Sequence, residues 1–213
     1  IVLMLPNFTN EEYSSIKDRL NEFPIVSISP SNQPAFHTVT FDSYNGGKLA
    51  AQNLIKLGYK TFGHIAGPIS KPEANLRRAG FIDEIKKKNY NIEFEYKGDH
   101  SFESGRLAFK SVNLSKYEDL GIFSSNDEMA MGFLSSAIEK DKYLSKSWGI
   151  IGYDNMPSSK IFHLKLSSID INLDKLAALS LEKLTDLINA PSFNPAITTT
   201  LIPVNAIIRE TRR

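Results

Sequence analysis

Five residues of this chain have types and positions suited to holding a small molecule. Phe41 closes the run "HTVTF", Arg77 stands on the segment after "AGPISKPE", His100 lies in "KGDHSFESG", Asn126 follows "GIFSS" with Asp127 beside it, and Asp154 follows "WGIIGY". A guanidinium, a carboxylate and an amide are planar groups that can each bond two adjacent hydroxyls, and an aromatic ring can cover an apolar C–H face. Together they make the chemistry of a carbohydrate site. The same groups would also hold a purine or a small carboxylate, so the set defines a polar small-molecule site without naming its occupant. Each residue has a plainer use as well. An Asn or Asp at a strand-to-helix seam commonly caps the helix, a carboxylate after a glycine can brace a turn, Arg77 could be a solvated charge and Phe41 plain core. His100 alone says little, and of the other histidines His37 and His64 read as strand residues and His163 as loop.

The elements that must position these residues alternate along the chain. Helical spacing appears at Ile16, Leu20 and Phe23 behind a cap at Thr9 or Asn10, and at Ala50, Leu54 and Leu57 before Gly58. Further helices are predicted near Glu73–Lys88 (Leu76, Ala79, Gly80, Phe81, Ile85), Glu103–Val112, Asp127–Glu139 and Leu173–Ile188. In the last, Leu173, Leu176, Ala177, Leu181, Leu184 and Ile188 share one face. Strands are predicted at "PIVSIS", "HTVTF", "TFGHIAGP", "NIEFEYKG", "LGIFSS", "WGIIGYD" and "LSSIDI", with two more in "TTTLIPV" and "AIIRE". Strands separated by helices of this length imply βαβ units and a mostly parallel sheet, so the fold class is α/β. A ligand of such a sheet sits outside the carboxyl ends of the strands, which is where the five residues fall.

Composition narrows the classes. A chain of 213 residues, 41% hydrophobic, can bury one large core or two small ones. A charged fraction of 23% with a net charge of +1 supplies no field strong enough to predict nucleic-acid or membrane binding. Zero cysteines exclude disulfides, thiolate metal sites and a cysteine nucleophile, and suit a reducing cytoplasm. No apolar run approaches the roughly 18 residues needed to span a bilayer, and no secretory leader is visible. There is no G-x-S-x-G elbow, H-E-x-x-H, Walker-type loop or G-x-G-x-x-G after a strand, so neither an enzyme nor a cofactor is expected. The opening run Ile1–Leu5 is apolar without alternation. It predicts a strand buried on both faces, and hence a chain that begins in the middle of a sheet as an excerpt of a longer protein.

Six motifs, taken in order, resemble the effector-binding domain of the LacI/GalR family of bacterial transcription repressors: "FDSYNGGKLAAQNLIKLGYKTFGHIAGP", "LRRAGFIDEI", "FSSNDEMAMGF", "WGIIGYDN", "LSSIDINLDKLAALSLEKL" and "LIPVNAIIRETRR". The likeness runs from about residue 1 to the end. It implies two Rossmann-like lobes with parallel sheets, of the periplasmic-binding-protein type I kind, joined by three crossovers with the ligand in the cleft. Residues 1–41 and 171–190 would form an incomplete N-terminal lobe, and 42–170 with 191–213 the C-terminal lobe. By motif, Arg77, Asn126 and Asp154 match effector-contacting positions, Phe41 a pocket aromatic, and His100 a position often aromatic. Asp127 would cap its helix while Asn126 faces the cleft. Met4, Ser29 and Asn75 depart from the pattern, standing where the resemblance implies an amide, a carboxylate and a second arginine in sugar-responsive relatives.

The resemblance further implies a cytoplasmic homodimer that binds a small sugar, a pentose such as ribose or a hexose. It would contact operator DNA through a headpiece that this chain lacks, with no membrane partner. Two alternatives share the fold: a solute-binding protein of a sugar transporter, and a regulator controlled by a protein corepressor.

Overall fold

The computed structural model describes residues 1–5, 8–20, 22–31, 33–140, 148–162, 164–189 and 196–211. His163 and residues 212–213 of the tail lie outside them. In chain order the elements are β1 (Val2–Leu3), α1 (Asn10–Arg19), β2 (Val26–Ser27), β3 (His37–Phe41), α2 (Ser43–Lys56), β4 (Thr61–Ala66), α3 (Pro72–Lys87), β5 (Ile92–Lys97) and α4 (Phe102–Ser111). They continue with β6 (Leu120–Ser124), α5 (Asp127–Glu139), β7 (Trp148–Asp154), α6 (Pro157–Ile161), β8 (Ser167–Asp170), α7 (Leu173–Asn189), β9 (Thr199–Ile202) and β10 (Asn205–Ile207). The fold is α/β, as the alternation of periods predicts.

The chain forms two compact units, Ile1–Asp42 with Asn172–Pro203, and Ser43–Ile171 with Val204–Arg213. The chain therefore passes between units at Asp42–Ser43, Ile171–Asn172 and Pro203–Val204. The expected last passage at residues 190–191 falls outside the described residues. β9 follows it and pairs with β3, so residues 199–202 join the first unit rather than the second.

In the first unit the described strands form one parallel sheet in the order β1-β2-β3-β9. α1 begins with a capping box: the Thr9 hydroxyl accepts from the Glu12 N–H at 3.2 Å, and the Glu12 carboxylate accepts from the Thr9 N–H at 2.7 Å. Tyr13, Ile25 and Phe36 anchor one apolar cluster; Val26, Val39 and Ile202 anchor another. Among the described strands β1 pairs with β2 alone, and Ile1, Val2 and Met4 are 45%, 40% and 69% exposed.

α7 also differs. Leu176, Leu179, Leu184 and Leu187 pack on the Val26 cluster, while Leu173, Leu181 and Ile188 are exposed. The helix carries leucines on two stripes, and spacing alone could not choose between them.

In the second unit the order is β10-β8-β7-β6-β4-β5, parallel throughout except that β10 runs antiparallel to β8. Phe62, Ile65, Leu120, Ile122, Phe123 and Ile150 are fully buried on its strands, as expected for a parallel sheet covered by helices. α2 and α3 approach until backbone meets backbone. A methyl on Gly47 would overlap the Arg77 carbonyl, and one on Gly80 the Tyr44 carbonyl. This contact sets the roll of α3. Ala74, Arg77, Gly80, Phe81, Glu84 and Ile85 face inward, whereas Leu76, predicted on the apolar face, is exposed.

The two stripes of α7 can be told apart by truncation. Leu187→Ala should cost about 1–2 kcal/mol in chemical denaturation, and Leu181→Ala no more than about 0.5 kcal/mol.

Candidate functional site

The carboxyl ends of β4, β6 and β7 bring four of the five residues into one neighbourhood of the second unit. Arg77, inward on α3, is 8% exposed. Its Nη1 donates to the Ser125 carbonyl oxygen at 2.7 Å, its Nη2 lies 3.6 Å from Asp154 Oδ1, and its guanidinium carbon sits 3.7 Å from the centre of the Tyr153 ring. A guanidinium flat on a buried aromatic ring gains from the ring's negative face while its edge stays directed at acceptors. The Asp154 side chain is 22% exposed. Burial pushes its carboxyl up to about 6, the Arg77 charge opposing that rise and Glu73 adding to it.

Asn126, rather than Asp127, caps the helix. Asn126 is the helix cap: its amide oxygen accepts from the Met129 N–H at 3.0 Å, and its amide nitrogen donates to the His100 carbonyl oxygen at 2.9 Å. A side-chain amide has two N–H bonds, so one remains to offer a ligand. Asp127 is wholly buried. One of its oxygens accepts from the Ser168 hydroxyl at 2.6 Å and the other from the Met156 N–H at 2.8 Å. It reaches them across Gly152, where a methyl would overlap its carboxylate. Both residues are short polar side chains at a helix start, and only the three-dimensional register decides which oxygen meets the free N–H groups.

His100 takes a left-handed backbone (φ 73°) and packs its ring on Gly67. Burial and the positive charges of Arg77 and Lys71 hold its imidazole down at about 4, with Asp99 opposing, so the ring is neutral at physiological pH. Among the buried polar atoms of this neighbourhood that have no hydrogen-bond partner are Arg77 Nε, His100 Nε2 and Ser125 Oγ. Each such atom costs about 1–3 kcal/mol when left unpaired, which is the signature of a place kept for another molecule's polar groups or for water.

Phe41 belongs to the first unit, at the carboxyl end of β3, half-buried against the Val26, Val39 and Ile202 cluster. The departing residues serve structure. The Ser29 hydroxyl accepts from the Leu5 N–H at 2.9 Å, the Asn75 amide donates to the Ile69 carbonyl oxygen at 2.7 Å, and Met4 is exposed. Sequence reasoning missed Asn155, Ser168, Asp170 and Arg209. Asn155 directly follows Asp154, and that adjacency was the available signal. Among the described residues no cluster of three or more histidines and carboxylates is arranged for a metal ion, and no helix is long and apolar enough to cross a membrane.

Burial raises the Asp127 carboxyl to about 7, with Asp154 adding to the rise and the Ser168 and Met156 hydrogen bonds opposing it. The folded state therefore keeps a proton that the unfolded chain releases near pH 4, so stability should fall as pH rises from about 4 to about 7 and level off above. Asp127→Asn should flatten that slope, seen as a smaller loss of melting temperature between pH 5 and pH 8.

Residues 51–212 match the periplasmic binding protein-like domain. The HTH-type transcriptional repressor PurR of Actinobacillus pleuropneumoniae serotype 3 (strain JL03) is 36% identical over 152 residues, covering 69% of this chain and 44% of the repressor. The chain thus spans under half of that relative's length. A periplasmic binding protein/LacI transcriptional regulator from Alkaliphilus metalliredigens, solved with D-xylulofuranose, superposes with TM-score 0.76 at 27% identity over 89% of this chain and 71% of its own. The lac repressor dimer bound to operator and the anti-inducer ONPF shares the fold, with TM-score 0.86 at 22% identity over 99% of this chain and 72% of its own. The chain belongs to the periplasmic binding protein-like domain family, in the branch that includes LacI-type transcriptional repressors.

Proposed function

We propose that this chain is the effector-sensing domain of a LacI-type DNA-binding repressor acting in the cytoplasm as a homodimer. Its effector would be a small sugar, a pentose such as ribose or a hexose, held at the carboxyl ends of β4, β6 and β7. The observation that carries the reading is the buried Arg77 guanidinium, stacked on Tyr153 and facing Asp154 across 3.6 Å. A separation slightly beyond hydrogen-bonding range leaves both groups with bonds to give, one as donor and one as acceptor, and a vicinal diol supplies both partners. The neutral His100 and the spare Asn126 N–H add uncharged polar groups, which suits a neutral polyol better than an anion. The relative solved with D-xylulofuranose lends support, since that ligand is a pentulose.

The regulatory consequence follows from linkage. A ligand shifts a conformational balance only by its differential affinity for the two states. In a dimeric repressor that balance would alter how two DNA-reading heads fit half-sites one helical turn apart.

The test is a thermal-shift panel of pentoses, hexoses, disaccharides, nucleosides and purines on the full-length protein, with Arg77→Ala as control. A sugar present at about 100 times its dissociation constant should add roughly 2.7 kcal/mol of stability, lost in the variant. Silence across the panel from a folded protein would overturn the sugar reading and favour control by a protein corepressor.

A further inference from the structure

The loop that carries Asp154 is under backbone strain. Asp154 has φ 106° and Asn155 φ 53°, two consecutive residues with a Cβ in a region that favours glycine. Such a conformation is unfavourable for a residue with a Cβ and persists only where neighbours enforce it.

The enforcing contacts converge on Asn155. Its N–H donates to the Ser168 hydroxyl at 3.0 Å, its amide nitrogen to Asp170 Oδ1 at 2.6 Å, and its amide oxygen accepts from an Arg209 Nη2 N–H. Both ends of one amide are therefore bonded to charged groups, the stronger kind of hydrogen bond. Arg209 is itself tied down, donating from Nη1 to the Leu166 carbonyl oxygen and from its backbone to the Ser167 hydroxyl at 2.8 Å. The Ser168 hydroxyl donates in turn to one Asp127 oxygen, and the other accepts from the Met156 N–H. The strained pair is thus clamped from β8 on one side and from the segment after β10 on the other.

Both clamping segments adjoin places where the chain changes units. Asp170 directly precedes the Ile171–Asn172 passage, and β10 starts just after the Pro203–Val204 passage. The Asn155 side chain thus adds a bond to Asp170 beside the β7–β8 pairing, in which Asp154 is the register partner of Asp170.

We infer that Asn155 is a positioning residue: its side-chain amide holds the Asp154 carboxylate in its strained, ligand-facing pose and ties that pose to the passage at Ile171–Asn172. The inference rests on Asp154 being the effector-contacting carboxylate, as proposed above, but the clamp itself can be measured without any ligand. If glycine-like backbone freedom were all that Asn155 contributed, glycine would replace it without loss. If the amide is what matters, glycine fails as alanine does.

The experiment is ¹³C carboxyl NMR of Asp154 across a pH titration, with amide hydrogen exchange of residues 168–173, in the full-length wild type and in Asn155→Gly, Asn155→Ala and Asp170→Asn. The expected result is a shift of the Asp154 titration by one unit or more toward the ordinary carboxylate value in both Asn155 variants, together with at least tenfold faster exchange at the passage. Asp170→Asn, which keeps an acceptor oxygen, should stay near wild type. Asn155→Gly relieves the left-handed backbone, so it should remain folded even if Asn155→Ala does not. An unmoved Asp154 titration in folded Asn155→Gly overturns the inference. Calorimetry with D-ribose and D-xylulose on the same proteins separates the two claims. A weakening of tenfold or more in Asn155→Gly supports both. A shifted titration, with no wild-type binding of either sugar, upholds the clamp and counts against the sugar reading.

Discussion

A guanidinium taken out of water must be given partners, because a buried unpaired charge costs several kcal/mol. The second unit is organised around meeting that demand at Arg77. The contact of α2 with α3 through Gly47 and Gly80 turns α3 so that position 77 points inward. Tyr153 on β7 then supplies a flat face beneath the charge, the end of β6 supplies the Ser125 carbonyl, and the end of β7 supplies the Asp154 carboxylate. The demand is only partly met, since Nε lacks a partner and Asp154 stands 3.6 Å away. Such a shortfall is what a binding site would leave, and what an ordinary buried ion pair would not.

The same strand ends carry a second constraint, a wholly buried carboxylate. Asp127 is satisfied by a hydroxyl and a backbone N–H that belong to different elements, β8 and the loop after β7. It therefore acts as a stitch between the helix start, the neighbouring strand and the loop that presents Asp154. Burial raises both Asp127 and Asp154 while Arg77 opposes the rise at Asp154, so two carboxylates near one another have titrations set by different surroundings. The strained backbone at Asp154 and Asn155 is tolerated because these bonds over-determine it.

Much of this arrangement was readable in the sequence, for identifiable reasons. Parallel strands buried on both faces leave uninterrupted apolar runs such as "GIFSS" and "WGIIGYD", and those runs marked the strands and the polar residues at their ends. Asp154 stood out because it ends such a run, and Arg77 through its place on the helix after "AGPISKPE" and the motif "LRRAGF". What could not be read was orientation within an element. α7 has leucines on both stripes, α3 turns Arg77 inward and Leu76 outward, and Asn126 rather than Asp127 caps α5. In each case the choice is made by a partner distant in sequence: the Val26 cluster for α7, Gly47 for α3, Ser168 for Asp127. The pairing of β9 with β3 is likewise a fact of tertiary register rather than of local pattern.

The central claim is that the polar groups round Arg77 hold the effector, and the most direct observation of it is the Arg77 Nε–H resonance in a ¹⁵N-labelled protein titrated with D-ribose and D-xylulose. Because that N–H has no protein partner, a bound sugar should move its signal in a saturable way, together with the amides of Asn126 and Asp154. Saturable binding of a sugar that shifts resonances elsewhere and leaves Arg77 unmoved would contradict the claim.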